Sequence, residues 1–498
     1  MLAVPEAGTS DAPQPPDALT GDDVAGRVVR GGAARVSGFL VSNLLAAAGA
    51  LIVLRYLGVD EFGRYGVVLA IAALVQGVTD AGLSVTGTRE LSLAASAEDR
   101  RRVLAHLVGL RIVLTGIGVP AAVAFAALAG YDSTLVLGTA VAGAGVFFMS
   151  LQSAMVIPLS VDLRNGALTA NEVLRQAVLV TGFVIVVLAG GGLIAFFAVQ
   201  AAAGLVLLAV VPLLLERHDR VRPRWARDEL RKLAVVGLPV ALSAVLTAAY
   251  LRVLVILMSL VSDDDEQIGL FVTSTRIFEL VAALPVMLSV IVLPVLSVAA
   301  RDDPGRLRYV VQQMTQLMAV GGALVTLVLV LAAEPILEIL GGAEYAAAAP
   351  VLRVQSIALF TLFVTAAWSP TLIGMHRQVS VAGAVAVGLV IAIAGGLVLI
   401  PAGEAEGAAW AAAAADTFVL AACYLLLRRA GPGRELSLAF VPRLALAAAP
   451  ALAVVLIPGL PAVADAIAGA AIFTALALAL RIVPPEVTGL LSRRALSR

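Results

Sequence analysis

The chain has 498 residues, 61% of them apolar and 14% charged, with 34 basic side chains matched by 34 acidic ones and a mean hydropathy of +1.01. A soluble protein carries about 25% charge, so this sequence lacks the polar residues to cover a water-facing surface of its size. The zero net charge says nothing about partners because the charges segregate by side, and no nucleic-acid partner is expected. The single cysteine, Cys423, lies inside an apolar run, which excludes a disulfide framework and a thiol–metal site.

Residues 1–35 are polar, Pro-rich and acidic and lack an apolar h-region, which predicts a disordered cytoplasmic tail and not a cleaved signal. Apolar runs of about 20 residues follow, each long enough to cross a ~30 Å hydrocarbon core as a helix. They are continuous, not alternating, which rules out a β-barrel. The predicted fold is an all-α polytopic membrane protein of about fourteen transmembrane helices. The spans are 37–57, 65–86, 105–128, 135–159, 171–189, 192–214, 234–260, 268–298, 312–333, 347–372, 380–400, 408–427, 443–459 and 463–482. Connections are short, and no segment is large enough to fold as a separate aqueous domain.

Arginine sets the orientation. With the N-terminus inside, the inner loops collect Arg89, Arg100 to Arg102, Arg164, the run from Arg217 to Lys232, Arg301, Arg306, Arg308, Arg377, Arg428 and Arg429. The outer loops are acidic instead: Asp60, Glu61, Asp263 to Glu266, Glu344, Glu404 and Glu406. This asymmetry predicts a multi-pass protein of the bacterial plasma (inner) membrane with both termini cytoplasmic.

The chain also repeats itself. Glu61-Phe62-Gly63-Arg64-Tyr65 returns 206 residues later as Gln267-Ile268-Gly269-Leu270-Phe271, each in a short outer loop between the first and second spans of a six-helix set. An even number of spans per set gives both the same orientation, so the expected symmetry is a pseudo-two-fold along the membrane normal. The expected organisation is a lobe at 36–215, a basic cytoplasmic linker at 216–233 and a second lobe at 234–430. Two extra helices and a cytoplasmic tail occupy 431–498.

Six charges sit well inside spans: Asp80, Arg111, Arg252, Arg276, Glu279 and Asp416. Charges at such depth are expensive unless they face protein or a water-filled cavity. Arg175 and Arg353, near span ends, can snorkel to the headgroups. Arg252 lies roughly 12 Å below the end of its span at a rise of 1.5 Å per residue, beyond comfortable reach. Arg276 is at similar depth on the next span, with Glu279 at i+3 on the same face, where the two can pair. These residues read either as a cationic lining on the outer half of a central cavity or as a structural ion-pair network. Arg111 joins them as a candidate substrate contact. Asp416 is too short to snorkel and must be protonated, paired or wetted. A coupling or gating site and a helix-packing hydrogen bond both fit it, and Asp80 is grouped with it.

Other signals are weaker. Gly395-Gly396 and the alanines from Ala408 to Ala415 allow close helix approach, and Pro285 and Pro294 permit a bend in the eighth span. There is no Walker motif, no Gly-rich phosphate loop and no nucleophile triad. ATP-driven transport by this chain alone is therefore not expected, and no cofactor is called for.

The pattern resembles the polysaccharide-biosynthesis flippases, the oligosaccharide-flippase branch of the superfamily that also holds multidrug extruders and lipid II flippases. The resemblance is carried by Arg55-Tyr56-Leu57-Gly58, Glu61 to Tyr65 and Asp80-Ala81-Gly82-Leu83. In the second lobe it rests on Ile268 to Phe271, Arg276-Ile277-Phe278-Glu279, Leu284-Pro285, Leu293 to Ser297, Gly342-Ala343-Glu344-Tyr345 and Gly407-Ala408-Ala409. It implies two six-helix lobes in a V around a cationic cavity. The implied cargo is a polyprenyl-(pyro)phosphate-linked oligosaccharide, moved between leaflets by alternating access. The implied partners are that glycan, membrane lipids, and a polysaccharide polymerase or glycosyltransferases of the same route. Relatives often carry an acidic residue just after the arginine of Tyr250-Leu251-Arg252, where this chain has Val253. A transporter and not an enzyme is expected. The rivals are a cation-coupled drug extruder on the same fold and a polytopic glycan polymerase or ligase, which would need larger outer loops.

Overall fold

The computed structural model describes residues 22–80, 82–216, 219–431, 435–457 and 461–483, and every regular element among them is helical. Residues 1–21 of the expected tail lie outside the described residues; from Asp22 the chain is helix. Eleven helices among the described residues are long and apolar enough to cross a membrane. Two of these fold back on themselves. The first, α1 (Asp22–Asp80), breaks at Gly58 (φ 73°, ψ 175°), a left-handed φ that glycine adopts at no steric cost. Counting each arm, and adding the shorter apolar helix Val441–Leu456, the set is consistent with the fourteen expected spans.

The second span ends earlier than its apolar run suggests. Asp80 closes α1, Gly82 (φ 67°) turns the chain, and a short amphipathic helix, α2 (Leu83–Ser92), runs on separately with Leu83 and Leu91 buried. The first half continues with α3 (Ala97–Leu128), α4 (Ser133–Met155), α5 (Ile157–Val161), α6 (Asn165–Leu188) and α7 (Leu193–Leu214). Next come α8 (Arg227–Val261), α9 (Asp265–Asp302), α10 (Pro304–Leu331), α11 (Ala333–Gly341) and a 3-10 turn (Ala343–Ala348). The chain ends in α12 (Ala349–Gly374), α13 (Gln378–Arg429), α14 (Val441–Leu452) and α15 (Ala462–Ala479). The other folded-back helix is α13, which reverses at Glu404 (φ 46°, ψ −123°) just after Pro401. Four helices start where a short polar side chain accepts an otherwise unpaired backbone N–H: Ser96 from Asp99, Asp132 from Leu135, Asp264 from Glu266 and Asp303 from Arg306.

The two halves pack alike. The first arm of α1 lies on α6, with Gly49 against Val180 and Phe183, and α8 lies on the first arm of α13, with Gly396 against Leu254 and Leu257. The pairs α3–α4 and α4–α7 recur as α10–α12 and α12–α13, and the contact of α1 with α4 recurs as α9 with α12. Leucines such as Leu128, Leu188 and Leu213 stand exposed on the outer faces, as expected of helices whose solvent is lipid.

One end of the bundle is acidic, with Asp60, Glu61, Asp132, Asp263 to Glu266, Glu344 and Glu404. The other carries Arg100, Arg164, Arg220, Arg222, Arg306, Arg308 and Arg428. At the acidic end the halves touch closely. A Cβ on Gly63 would stand 2.6 Å from the Asp265 carbonyl oxygen and 2.7 Å from the Gly269 nitrogen, and one on Gly269 would run into the Val59 carbonyl. Tyr131 and Ser259 share a 2.6 Å hydrogen bond across the same seam. Along α9, Ile268 to Ser274 are buried, whereas Leu280, Leu284, Val286, Leu288, Ile291 and Val298 are exposed. At the basic end the stretch between α7 and α8 docks on the first half. The Arg224 amide donates to the Ala105 carbonyl at 3.1 Å, and Arg100 holds both Asp219 (3.0 Å) and Asp162 (2.7 Å).

Candidate functional site

Arg252, Arg276 and Glu279 come together. Arg252 on α8 lies nine residues before Val261 and Arg276 on α9 eleven after Asp265, which puts both about 15 Å along their helices from the acidic end. Glu279 pairs with both, its Oε1 forming an ion pair with Arg252 Nη1 at 2.5 Å and its Oε2 accepting from Arg276 Nη1 at 2.9 Å. One carboxylate between two guanidiniums leaves the cluster a formal charge of +1. None of the three is sealed: their side chains are 21%, 32% and 28% exposed for Arg252, Arg276 and Glu279. Each guanidinium has five N–H donors in a planar fork, so donors remain for an anion after Glu279 is satisfied.

The first half has no such charge. Subtracting the 206-residue repeat from Arg276 and Glu279 lands on Ala70 and Ala73. What faces Arg276 from that half is Tyr65 on α1, close enough to feel its charge. The Tyr65 ring stacks on Phe197 (centroids 5.4 Å apart, 16° between planes), and its hydroxyl accepts from Gln200 Nε2 at 2.9 Å. Sequence reasoning did not connect Tyr65 and Gln200 with the arginines; the signal was Gln200, an amide inside an otherwise apolar run.

Arg111 and Asp80 lie apart from this cluster, toward the basic end, and pair with each other. Arg111 is buried on α3 and also donates to Ser84 Oγ (2.8 Å) on α2 and Ser150 Oγ (3.3 Å) on α4. Ser84 in turn donates to Asp80 Oδ1 at 2.7 Å, and Thr115 donates to Ser150 at 3.1 Å. This network ties four helices of the first half at the turn where α1 gives way to α2.

Asp416, on the second arm of α13, accepts from the Tyr250 hydroxyl of α8. Tyr250 precedes Arg252 by two residues, about 200° around a helix, so α8 presents its arginine to α9 and its tyrosine to α13. A third polar group surrounds Arg175, whose place near a span end suggested snorkelling and whose partners the sequence did not name. On α6, Arg175 Nε donates to Glu172 Oε2 at 3.1 Å and Gln176 Nε2 to its other oxygen at 3.2 Å, while Asn171 accepts from Gln152 of α4 at 2.9 Å. The signal was the Asn-Glu-x-x-Arg-Gln spacing, which stacks these groups along one side of the helix.

A cavity of about 1030 Å³ opens at the acidic end, lined by Asp60, Glu61, Arg64, Asp263 to Glu266 and Glu404. It sits over the seam that Gly63 and Gly269 close.

Residues 52–350 match the family described as polysaccharide biosynthesis protein. No curated protein matches the chain. Among solved structures it is similar to the lipid II flippase MurJ in an inward closed conformation, with a TM-score of 0.77 and 12% identity over 90% of this chain and 98% of that one. It is also similar to a multidrug resistance MATE family transporter of the MOP superfamily in an inward-facing conformation. There the TM-score is 0.67 and the identity 14%, over 81% of this chain and 99% of that one. For an outward-facing conformation of such a transporter the TM-score is 0.58, with 16% identity over 82% and 96%. The fold is thus that of MurJ and the MATE transporters.

Proposed function

Because the chain belongs to the polysaccharide biosynthesis protein family, we propose that it is a flippase. Its cargo is a polyprenyl-(pyro)phosphate-linked oligosaccharide, moved by alternating access of two lobes at 36–215 and 234–430. The observation that carries this reading is the Arg252–Glu279–Arg276 cluster: a net positive, partly exposed group at membrane depth, on the two helices that open the second half. A pyrophosphate or an acidic sugar supplies the oxygens that the spare guanidinium donors take, in charge-assisted hydrogen bonds. Glu279 holds both arginines in place between cargoes. Asp416, bonded to Tyr250, is assigned a coupling or gating role. Asp80 with Arg111 steadies the turn on which the basic end of the first half moves.

In this reading the acidic end faces outward and the basic end the cytoplasm of a bacterial inner membrane. The tight glycine crossing supports a state closed to the outside, and the exposed α9 residues from Leu280 to Val298 support one parted toward the inside. A polymerase or glycosyltransferases would act on the delivered glycan. The test is export of surface glycan in cells carrying Arg276→Ala or Arg276→Lys. Arg276→Ala is expected to abolish export while the protein still inserts, and Arg276→Lys to restore part of it; full export with Arg276→Ala would remove the site. A second reading, extrusion of small cationic compounds, has the acidic cavity at Asp263 to Glu266 in its favour. Resistance to cationic drugs on overexpression, undiminished by Arg276→Ala, would select it.

A further inference from the structure

Two of the short motifs, Arg55-Tyr56-Leu57-Gly58 and Gly342-Ala343-Glu344-Tyr345, each hydrogen-bond to the residues just before the other, across 284 to 291 positions of sequence. Arg55, in the last turn before the α1 kink, donates Nε to the Leu340 carbonyl at 3.0 Å and Nη2 to the Ile339 carbonyl. Those carbonyls belong to the last turn of α11, where backbone acceptors run out of helical partners and the helix dipole favours a cation. In return, Tyr345 donates its hydroxyl to the Leu54 carbonyl at 2.8 Å, in the last turn of the first arm of α1. Each half thus caps a helix end of the other. Tyr345 is fully buried. Its ring fills the space beside Gly341, where a Cβ would stand 3.0 Å from Tyr345 Cβ and closer still to the ring, and Glu344 lies over Gly58.

We propose that these two motifs form a latch that holds the acidic end shut and must release before that end can open. The claim rests on the alternating-access part of the function proposed above, not on the cargo. The latch is made of a guanidinium, a phenol and backbone carbonyls.

The test uses the full-length protein in nanodiscs with Cys423→Ala and a reporter, Val272→Cys. Val272 is buried at the acidic seam against Gly66. Arg55→Gln and Tyr345→Phe are each expected to raise the rate at which a maleimide modifies the reporter thiol by about five-fold per hydrogen bond lost. The double variant should exceed either, and Arg55→Lys should fall between Arg55→Gln and the parent. A control reporter, Leu104→Cys, sits in a separate buried cluster of the first half and should keep its rate. Unchanged reporter rates in both latch variants overturn the proposal. An equal rise at the control also overturns it, because it would mean general loosening. Tyr345→Phe removes one oxygen, and if it fails to fold, Arg55→Gln, an exposed side chain, decides alone. No glycan enters the assay, so a failed latch and a wrong cargo are told apart.

Discussion

Arg252 and Glu279 meet between α8 and α9 although 27 residues and an acidic turn separate them. The bond spans two helices, whereas the Arg276–Glu279 bond stays within one turn of α9. Glu279 is therefore the joint between the helices. In the function proposed above, an incoming anion would take the guanidinium donors that Glu279 leaves spare.

Replacing that joint should have a graded effect. Glu279→Gln keeps an acceptor but raises the formal charge of the cluster from +1 to +2. The expected result is tighter binding of inorganic pyrophosphate in isothermal titration. A modest stability loss should accompany it, with a coupling to Arg252 of about 1 kcal/mol in a double-mutant cycle, as for partly exposed ion pairs.

The Arg111–Asp80 pair should behave differently, because Arg111 is only 2% exposed. Removing Asp80 leaves the buried Arg111 guanidinium uncompensated, a cost of roughly 3 kcal/mol, so Asp80→Asn is expected to lower the melting temperature markedly. Arg111→Met leaves Asp80, which is 35% exposed and can be screened by water, so it should cost less. Thermal unfolding of the purified variants checks both; equal losses would mean that the pair is not the anchor of the network.

The glycine crossing gives a conformational prediction. Gly269→Ala drives a methyl group into the Val59 backbone, and Gly63→Ala does the same toward Asp265. Neither neighbour is a flexible side-chain end that can swing aside, so the closed acidic end must part. Spin labels placed at Glu61 and Glu266, on the rim of the acidic cavity, should report a longer distance in either variant than in the parent.

At the basic end, Arg100 clasps Asp162 and the buried Asp219. Arg100→Ala should loosen the stretch between the halves, and trypsin should then cut after Arg220 and Arg224 several-fold faster. The bond after Arg222 precedes proline and serves as an internal control. An unchanged digestion rate would assign the docking to the Arg224–Ala105 backbone bond instead.

The fold was written in the sequence wherever a solvent requirement dictated it. Apolar runs of membrane length became helices, and the reversals near Gly58 and Glu404 fell where acidic residues interrupt them. The local pair Arg276 and Glu279 was legible too, because i+3 spacing needs no knowledge of the fold. What the sequence left open depended on which distant helices touch. Nothing near Arg111 names Ser84 and Asp80 as its partners, and nothing in the alanine-rich surroundings of Asp416 names Tyr250. The early end of α1 at Asp80 was hidden for a related reason. The apolar residues continue past it, and only the left-handed turn at Gly82 redirects them into α2.

The alanines at 70 and 73, standing where the second half has Arg276 and Glu279, have a mechanical consequence. A machine of two matched halves would hold a central load evenly, but here the ionic grip belongs to one half alone. Under the alternating access proposed above, an anion held by that cluster would travel with α8 and α9 past α1. Ala70 is packed into the core at 2% exposure, and a carboxylate in its place would have to be paired or protonated.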